Sequence, residues 1–212
     1  MSVPNLKVLC VKDAVSALKN QDKALVKLLN KFSPRDIFTE KNYFKSLTRF
    51  VIYQQLSGKA AKTILDRFVR LYEVEDYPLP QDVVNTDHKV LRSVGLSNAK
   101  ANYIKNIAQA FLDNTIQADN LHNLPDDEVI NQLVSIKGVG PWTAQMFLMF
   151  TLARPDIFPT GDLGVQKGFQ KYFKLKVLPT PNELEKRSQI WKPHRTVVSL
   201  FLWKIVDGPF EW

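Results

Sequence analysis

The chain has 212 residues, above the ~150 of a typical domain but short of two, so we expect one compact unit, residues 1–212, of bilobal form. Hydrophobic residues make up 45% and aromatic residues 11%, which excludes a disordered chain, while the single cysteine excludes an internal disulfide, a four-cysteine zinc site and an iron–sulfur cluster. Lysine and arginine number 29 against 21 acidic residues, a formal net charge of +8, which is typical of a protein that binds a polyanion.

Apolar residues recur at helical spacing almost throughout, and alternating runs of β-branched residues are nearly absent, so the predicted class is all-α. Two short helices are predicted first, at 12–19 and 22–32. A third helix, over 42–55, and a fourth, over 57–72, share only a tight turn. Ser57 in this turn is the predicted N-cap of the fourth helix.

The two helices around this turn carry an excess of positive charge. Asp66 is the only acid between residues 41 and 70, against seven basic residues. This excess favours a polyanionic partner, and the alternative is a basic face that is merely solvated. The seven are Lys41, Lys45, Arg49, Lys59, Lys62, Arg67 and Arg70.

Caps and glycines mark two helices in the middle of the chain. Thr86 is the predicted N-cap of a short helix that reaches Val94 and is stopped by Gly95. Ser97 is the predicted N-cap of a longer helix that reaches about Asp113. Both fit a succession of helices of ordinary length joined by short loops.

Residues 133–154 are predicted to form a hairpin of two helices, the second beginning at Pro141. Its turn has glycines two apart, which allow another backbone to approach closely, and the free N–H groups at the start of the second helix attract a phosphate oxygen. Such binding does not read base sequence. The alternative is a plain corner between two helices. The predicted phosphate-binding residues are Lys137, Gly138, Val139, Gly140 and Thr143.

Asp162 is the candidate residue for chemistry. It follows a loop and lies at the predicted N-cap of an amphipathic helix, where the helix dipole and the first-turn N–H groups stabilise a carboxylate. Because aspartate caps helices routinely, an ordinary cap is the alternative. Two more helices are predicted after it: one opens on a capping box at 180–183, and the last, at about 194–206, is so apolar that it must be central.

These motifs together resemble one family. The sequence KGVGPWTA at 137–144, followed by FPTGD at 158–162, is similar to the helix-hairpin-helix DNA glycosylases, and specifically to the 3-methyladenine DNA glycosylase II (alkylbase DNA glycosylase) group in its compact fungal and bacterial form. Supporting matches extend the resemblance to about residues 40–206: YQQLS at 53–57, VGLS at 94–97 with Lys100, and WKPHR at 191–195 with LW at 202–203. The resemblance implies an all-α, bilobal fold with a cleft between the lobes.

The resemblance also implies a reaction, base-excision repair by hydrolysis of the N-glycosidic bond of an alkylated purine that is flipped out of the duplex. An N-alkylated purine carries a positive charge and leaves readily, so one carboxylate suffices where ordinary glycosidases use two. Asp162 would stabilise the oxocarbenium-like sugar and assist water at C1′. Bifunctional relatives have a lysine where this chain has Trp142, so no Schiff base and no strand cleavage are expected.

The tight turn after the third helix is expected to handle the gap that the flipped nucleotide leaves. By resemblance Leu56 would intercalate between base steps, and Gln55 would contact the opposite strand. Gln54 and Ser57 of the same turn are the remaining candidates for contacts in the minor groove. The alternative for Leu56 is a core position at a helix end.

Trp142 and Met146, one helical turn apart, are the expected base pocket, because a tryptophan face attracts a cationic base. Their alternative is an ordinary core position. Some family members have an aromatic ring in place of Met146 and a larger polar residue in place of Ser57, and both differences weaken the grip on a flipped base. The alternative function is therefore a weakly catalytic or non-catalytic homologue that binds abasic or damaged DNA, while a helical scaffold without DNA binding has the least support.

No cofactor is expected, apart from a monovalent cation that the resemblance allows between the hairpin carbonyls and a phosphate. His88, His122 and His194 are scattered and offer no convincing metal set. The expected partner is double-stranded DNA with damaged or abasic sites, bound by a monomer. Since no apolar run approaches the ~20 residues that span a bilayer, we expect a soluble intracellular protein, nuclear if eukaryotic and cytoplasmic if bacterial.

Overall fold

A computed structural model describes residues 8–206, and the two ends of the expected unit, 1–7 and 207–212, lie outside the described residues. The predicted all-α class is confirmed, since helices joined by short loops carry the fold. In chain order they are α1 (Val11–Gln21), α2 (Val26–Leu29), α3 (Tyr43–Tyr53), α4 (Gly58–Arg70), α5 (Pro80–Asn85), α6 (His88–Ser93), α7 (Asn98–Leu112), α8 (Asp126–Val134), α9 (Pro141–Phe150), α10 (Leu163–Phe173), α11 (Pro181–Ser188) and α12 (Arg195–Val206).

Contacts between residues divide the chain into two compact units. The unit that we call the terminal unit comprises residues 1–39 and 148–212, and the central unit comprises residues 40–147. The boundary falls within α9. The single compact unit expected from the chain length stays a prediction, as does the cleft between lobes.

Helix α12 forms the core of the terminal unit, as its apolar sequence predicts. Val197 and Phe201 are completely buried. A Cβ at Gly168 of α10 would lie 2.3 Å from the carbonyl oxygen of Leu202, so glycine lets α10 approach the backbone of α12 directly. This close contact fixes α10, and with it the N-cap residue Asp162, against α12.

The first segment of the terminal unit differs from the prediction. The prediction of one continuous helix over 22–32 is wrong. The Asp22 carboxylate accepts the N–H of Ala24 and starts a 3-10 helix at Lys23–Leu25, and the short α2 follows it. The strands β1 (Val8–Leu9) and β2 (Ile37–Phe38) form an antiparallel ribbon. The ribbon was not predicted, because a strand of two residues is too short to show an alternating pattern.

The central unit is built around α3 and α7. One face of α3 is buried, with Phe44, Leu47, Phe50 and Val51 in the core. Ser57 caps α4 as predicted, with its hydroxyl oxygen accepting the N–H of Ala60 at 3.4 Å. On α4 itself, Ala61 and Phe68 are buried.

The caps in the middle of the chain were predicted with one error. Thr86 is wrong as the N-cap of the short helix: its N–H instead bonds to the carbonyl oxygen of Asp82 at 3.1 Å and ends α5, a helix that was not predicted. Asp87 caps α6 by accepting the N–H of Lys89 at 2.7 Å. Ser97 is confirmed as the N-cap of α7.

Within residues 8–206, no helix is both long and apolar enough to cross a membrane. The same part of the chain contains no group of three histidine, cysteine, aspartate or glutamate side chains that could hold a metal ion.

Candidate functional site

The turn of the hairpin lies between α8 and α9 in the central unit. Val139 closes it locally by donating its N–H to the carbonyl oxygen of Ile136 at 3.0 Å. Gly138 has a φ of +109°, and a Cβ there would lie 2.1 Å from the ring of Tyr103, so only glycine fits. A Cβ at Gly140 would meet nothing within 4 Å. One side of the turn is therefore pressed against α7, and the other is open to a ligand.

The five predicted phosphate-binding residues are not equally accessible. Lys137 is exposed, and Gly138 and Gly140 are partly exposed. The side chains of Val139 and Thr143 are buried. The turn can therefore offer an ammonium group and backbone N–H groups to an anion, whereas these two side chains face the protein.

The turn between α3 and α4 presents an apolar side chain at the surface. Leu56 is 40% exposed, so the core position considered for it does not apply. Gln55 next to it is exposed and has a φ of +55°, which makes the turn tight. Ser57 is exposed as well and caps α4. An exposed leucine at the tip of a tight turn has the form of a wedge that enters base steps.

Gln54 differs from the rest of this turn because its side chain is directed at the hairpin. Its Nε2 donates to the hydroxyl oxygen of Thr143 at 2.8 Å and, at 3.4 Å, to the carbonyl oxygen of Gly138. The chain therefore brings the two predicted DNA-binding segments together within the central unit. The contact with DNA expected of Gln54 stays a prediction, and its amide donor is already used within the protein.

Lys100 holds the same turn from α7. Its Nζ donates to the carbonyl oxygens of Ile52 at 2.9 Å and Gln54 at 2.6 Å, which end α3 and have no partner within that helix. Burial lowers the pKa of Lys100 below the usual lysine value. The sequence contained this lysine as part of a family match, but its spacing gave no indication of which carbonyls it binds.

The two expected base-pocket residues lie in different surroundings. Trp142 is partly exposed at the start of α9, whereas Met146, one turn further on, is completely buried. The base-pocket role stays a prediction for both. For Met146 it requires a movement that exposes the side chain.

Asp162 is confirmed as the N-cap of α10. Its Oδ1 accepts the N–H of Val165 at 2.8 Å and the indole Nε1–H of Trp203, also at 2.8 Å. A Cβ at Gly164 would lie 2.8 Å from Cδ1 of Trp203, so a side chain there would displace the indole. Asp162 itself is partly exposed. A partly exposed carboxylate is thus held in one orientation by two donors, one of them from another helix.

Trp203 entered the sequence analysis only as part of a family match, which gave no role for it. The residue is 4% exposed, with its ring stacked on Phe150 at a centroid distance of 6.1 Å. Because a buried indole N–H usually has a hydrogen-bond acceptor, a buried tryptophan in the sequence predicts some polar partner in addition to its apolar contacts. Which acceptor it finds depends on a contact across 41 residues of sequence.

The excess of basic residues along α3 and α4 is partly neutralised at the surface. Lys45 pairs with Asp76 at 2.7 Å, and Lys62 pairs with Asp66 at 2.8 Å on α4. Exposed pairs of this kind contribute little to stability, so a polyanion can displace them at small cost.

An open surface pocket of about 480 Å³ lies beside the hairpin within the central unit. It follows one side of α7 and reaches the exposed Lys137. Its lining residues are Asn98, Ala99, Asn102, Tyr103, Lys105, Asn106 and Lys137. Amide and ammonium groups of this kind suit the same class of partner as the hairpin, a hydrogen-bonding polyanion.

Known proteins resemble this chain over most of its length. Residues 48–193 match the family model of the HhH-GPD superfamily base excision DNA repair protein. The chain is 34% identical over 191 residues to DNA-3-methyladenine glycosylase 1 of Schizosaccharomyces pombe, covering 90% of this chain and 84% of that protein. It is 29% identical to the alkylbase DNA glycosidase-like protein mag2 of the same organism, covering 90% of each.

A solved structure has the same fold. The S. pombe 3-methyladenine DNA glycosylase Mag1 in complex with abasic DNA superimposes with a TM-score of 0.81 at 34% identity, covering 92% of this chain and 95% of that one.

Proposed function

Because the chain belongs to the HhH-GPD superfamily of base excision DNA repair proteins, we propose that it removes alkylated purines from duplex DNA by hydrolysing their N-glycosidic bond. Its family and its relatives make it a DNA glycosylase, which is a hydrolase. The substrate class is supported by the 34% identity to DNA-3-methyladenine glycosylase 1. The observation that carries the reaction is the Asp162 carboxylate, fixed in orientation by two N–H donors.

The proposed mechanism needs one negative charge beside the sugar. As the bond from C1′ to the alkylated base breaks, the electron pair leaves with the base, whose positive charge it neutralises, and the sugar becomes oxocarbenium-like. Asp162 stabilises this cation and assists the attack of water at C1′. Because Val165 and Trp203 hold the carboxylate before the reaction begins, little reorganisation is needed in the transition state.

The central unit supplies the grip on DNA in this proposal. The hairpin binds a phosphate through its backbone N–H groups without reading base sequence. Leu56 fills the space left in the stack, and Gln55 contacts the opposite strand. Trp142 stacks on the cationic base, and because it stands where bifunctional relatives have a lysine, the enzyme forms no Schiff base and cuts no strand.

We propose duplex DNA with damaged or abasic sites as the partner of a monomeric protein, in the nucleus if the protein is eukaryotic and in the cytoplasm if it is bacterial. No cofactor takes part. The hairpin carbonyls of residues 136–138 each already accept a protein donor, but a carbonyl has two lone pairs, so these residues remain compatible with a monovalent cation that bridges them to a phosphate.

The test is a measurement of base release. Wild-type protein incubated with a methylated duplex is expected to release alkylated purines, and Asp162→Asn is expected to abolish release while binding to a duplex with an abasic analogue is retained. Asp13→Asn is a matched control, because Asp13 is an exposed acid in the first turn of α1. Wild-type turnover in Asp162→Asn would rule out the proposed mechanism.

A second function has one specific observation in its favour. Met146 is completely buried, so the hydrophobic part of the expected base pocket is not open. A protein that binds abasic or damaged DNA but excises slowly or not at all fits this arrangement. It is indicated if wild-type protein shifts an abasic duplex in a gel but releases no base.

A further inference from the structure

Two segments of the central unit that are proposed to touch DNA are joined by side chains, although more than 80 residues separate them along the chain. The amide of Gln54, in the turn that carries Leu56, donates to the hydroxyl of Thr143 in the first turn of α9, across 89 residues. We call this hydrogen bond the turn–hairpin link. Thr143 is 1% exposed and Gln54 is partly exposed, so the link is shielded from water on the Thr143 side only.

Helix α7 supports both ends of the link. Lys100 donates to the carbonyl oxygen of Gln54 on the turn side. On the hairpin side, Tyr103 lies against Gly138, and the side chain of Asn106 donates to the carbonyl oxygen of Lys137 at 3.0 Å. These three α7 residues follow each other at intervals of three, so they lie on one face of the helix. The turn and the hairpin are therefore mounted on a common rigid element.

We propose that Gln54 is a positioning residue, which through Thr143 holds the Leu56 turn and the phosphate-binding hairpin at a fixed separation so that both engage one DNA molecule at once. The proposal rests on the DNA-binding role argued above, and it replaces the minor-groove contact first expected of Gln54. The link touches no DNA itself. It acts because two binding segments that are already in register lose less conformational freedom when DNA binds.

Three substitutions and one control isolate the link. Gln54→Leu removes the donor at nearly constant volume, Thr143→Val removes the acceptor, and Thr143→Ser keeps it. Gln81→Leu makes the same exchange at an exposed glutamine of α5, in the same unit but outside the link. Each variant is measured for the affinity of the folded protein towards a duplex with a tetrahydrofuran abasic analogue. Hydrogen exchange over 136–143 is measured without DNA, with α10 of the terminal unit as the internal reference.

Gln54→Leu and Thr143→Val are each expected to weaken binding about 3- to 10-fold, the effect of losing one hydrogen bond. Both are expected to speed hydrogen exchange over 136–143 and to leave α10 unchanged. The double variant is expected to be no weaker than the weaker single variant, because both changes remove the same interaction. Thr143→Ser is expected to bind like the wild type, and Gln81→Leu is expected to leave both affinity and hairpin exchange unchanged.

Other results overturn the proposal. Additive losses in the double variant, or weaker binding by Gln54→Leu without faster hairpin exchange, mean that Gln54 contacts DNA directly. If both single variants keep the affinity and the exchange rates of the wild type, the link positions nothing. If the wild-type protein itself does not bind the abasic duplex, the proposal is overturned as well. If the expected results are found but wild-type protein releases no base, the proposed reaction fails and the positioning role stands.

Discussion

The two units contribute different kinds of group to the proposed function. In the central unit, the turn and the hairpin offer backbone N–H groups and one exposed leucine, and several side chains share the work of supporting them. In the terminal unit, a single carboxylate is oriented by one backbone N–H and one indole. A surface that binds any phosphate tolerates gradual losses, whereas a single oriented charge does not. We therefore expect changes in the central unit to reduce affinity stepwise and changes around Asp162 to reduce the rate sharply.

Among substitutions that keep the Asp162 carboxylate, the largest effect on this comparison is expected at Trp203. Trp203→Phe removes the Nε1–H donor to Asp162 but keeps an aromatic ring next to Phe150. A carboxylate that loses its fixed orientation is expected to slow base release by up to about 100-fold. Affinity for an abasic duplex should stay within twofold, since the substitution leaves the central unit intact. A fall in affinity as large as the fall in rate would break the distinction between the two units.

A pair of glycine substitutions tests the central unit in the same way. Gly138→Ala is expected to cost about 1 to 3 kcal/mol of unfolding free energy, because φ is +109° and the new Cβ would meet Tyr103. Gly140→Ala is the matched control, since nothing lies within 4 Å of a Cβ there. Thermal unfolding measures the difference. Equal stability of the two variants would show that the hairpin is not pressed against α7.

The smallest expected effect concerns a second aspartate with an indole partner, Asp22 in the terminal unit. Burial raises the pKa of Asp22, but hydrogen bonds from Trp191 and Arg187 outweigh this effect and hold the pKa below its usual value. The stability that this group contributes is therefore complete above the unfolded-state pKa, about 3.9, and is lost as pH falls through the lower folded-state value.

Denaturant unfolding between pH 7 and pH 3 measures the contribution of Asp22. We expect the wild type to lose about 1 kcal/mol more than Asp22→Asn over this range, the size of one hydrogen bond to a charged acceptor. If the free energy of unfolding varies with pH in the same way for the wild type and Asp22→Asn, the hydrogen bonds of Asp22 do not stabilise the fold.

Local signals in the sequence predicted much of the fold. Ser57, Ser97 and Asp162 were assigned as helix caps from residue type and position, and the structure confirms each of them. The predicted N-cap Thr86 is one residue away from the observed N-cap, Asp87. Both residue types are good N-caps, and Thr86 is not available because it ends α5.

The arrangement of the site could not be predicted in the same way. The contact between Gln54 and Thr143 spans 89 residues, and the contact between Trp203 and Asp162 spans 41. Helical periodicity reports which face of a helix is buried but not which distant side chain meets it. The sequence therefore indicated candidate site residues through a family resemblance, and the partners of these residues became visible only in the folded chain.

The turn and the hairpin, which are proposed to bind DNA, are synthesised before the contact between Asp162 and Trp203 can form. The central unit is a continuous segment that ends at residue 147, whereas the terminal unit needs both flanking segments, and Trp203 is among the last residues of α12. A ribosome thus completes the turn and the hairpin well before Asp162 can acquire its indole donor. A product terminated before residue 203 would contain the turn and the hairpin but not the indole donor that orients Asp162.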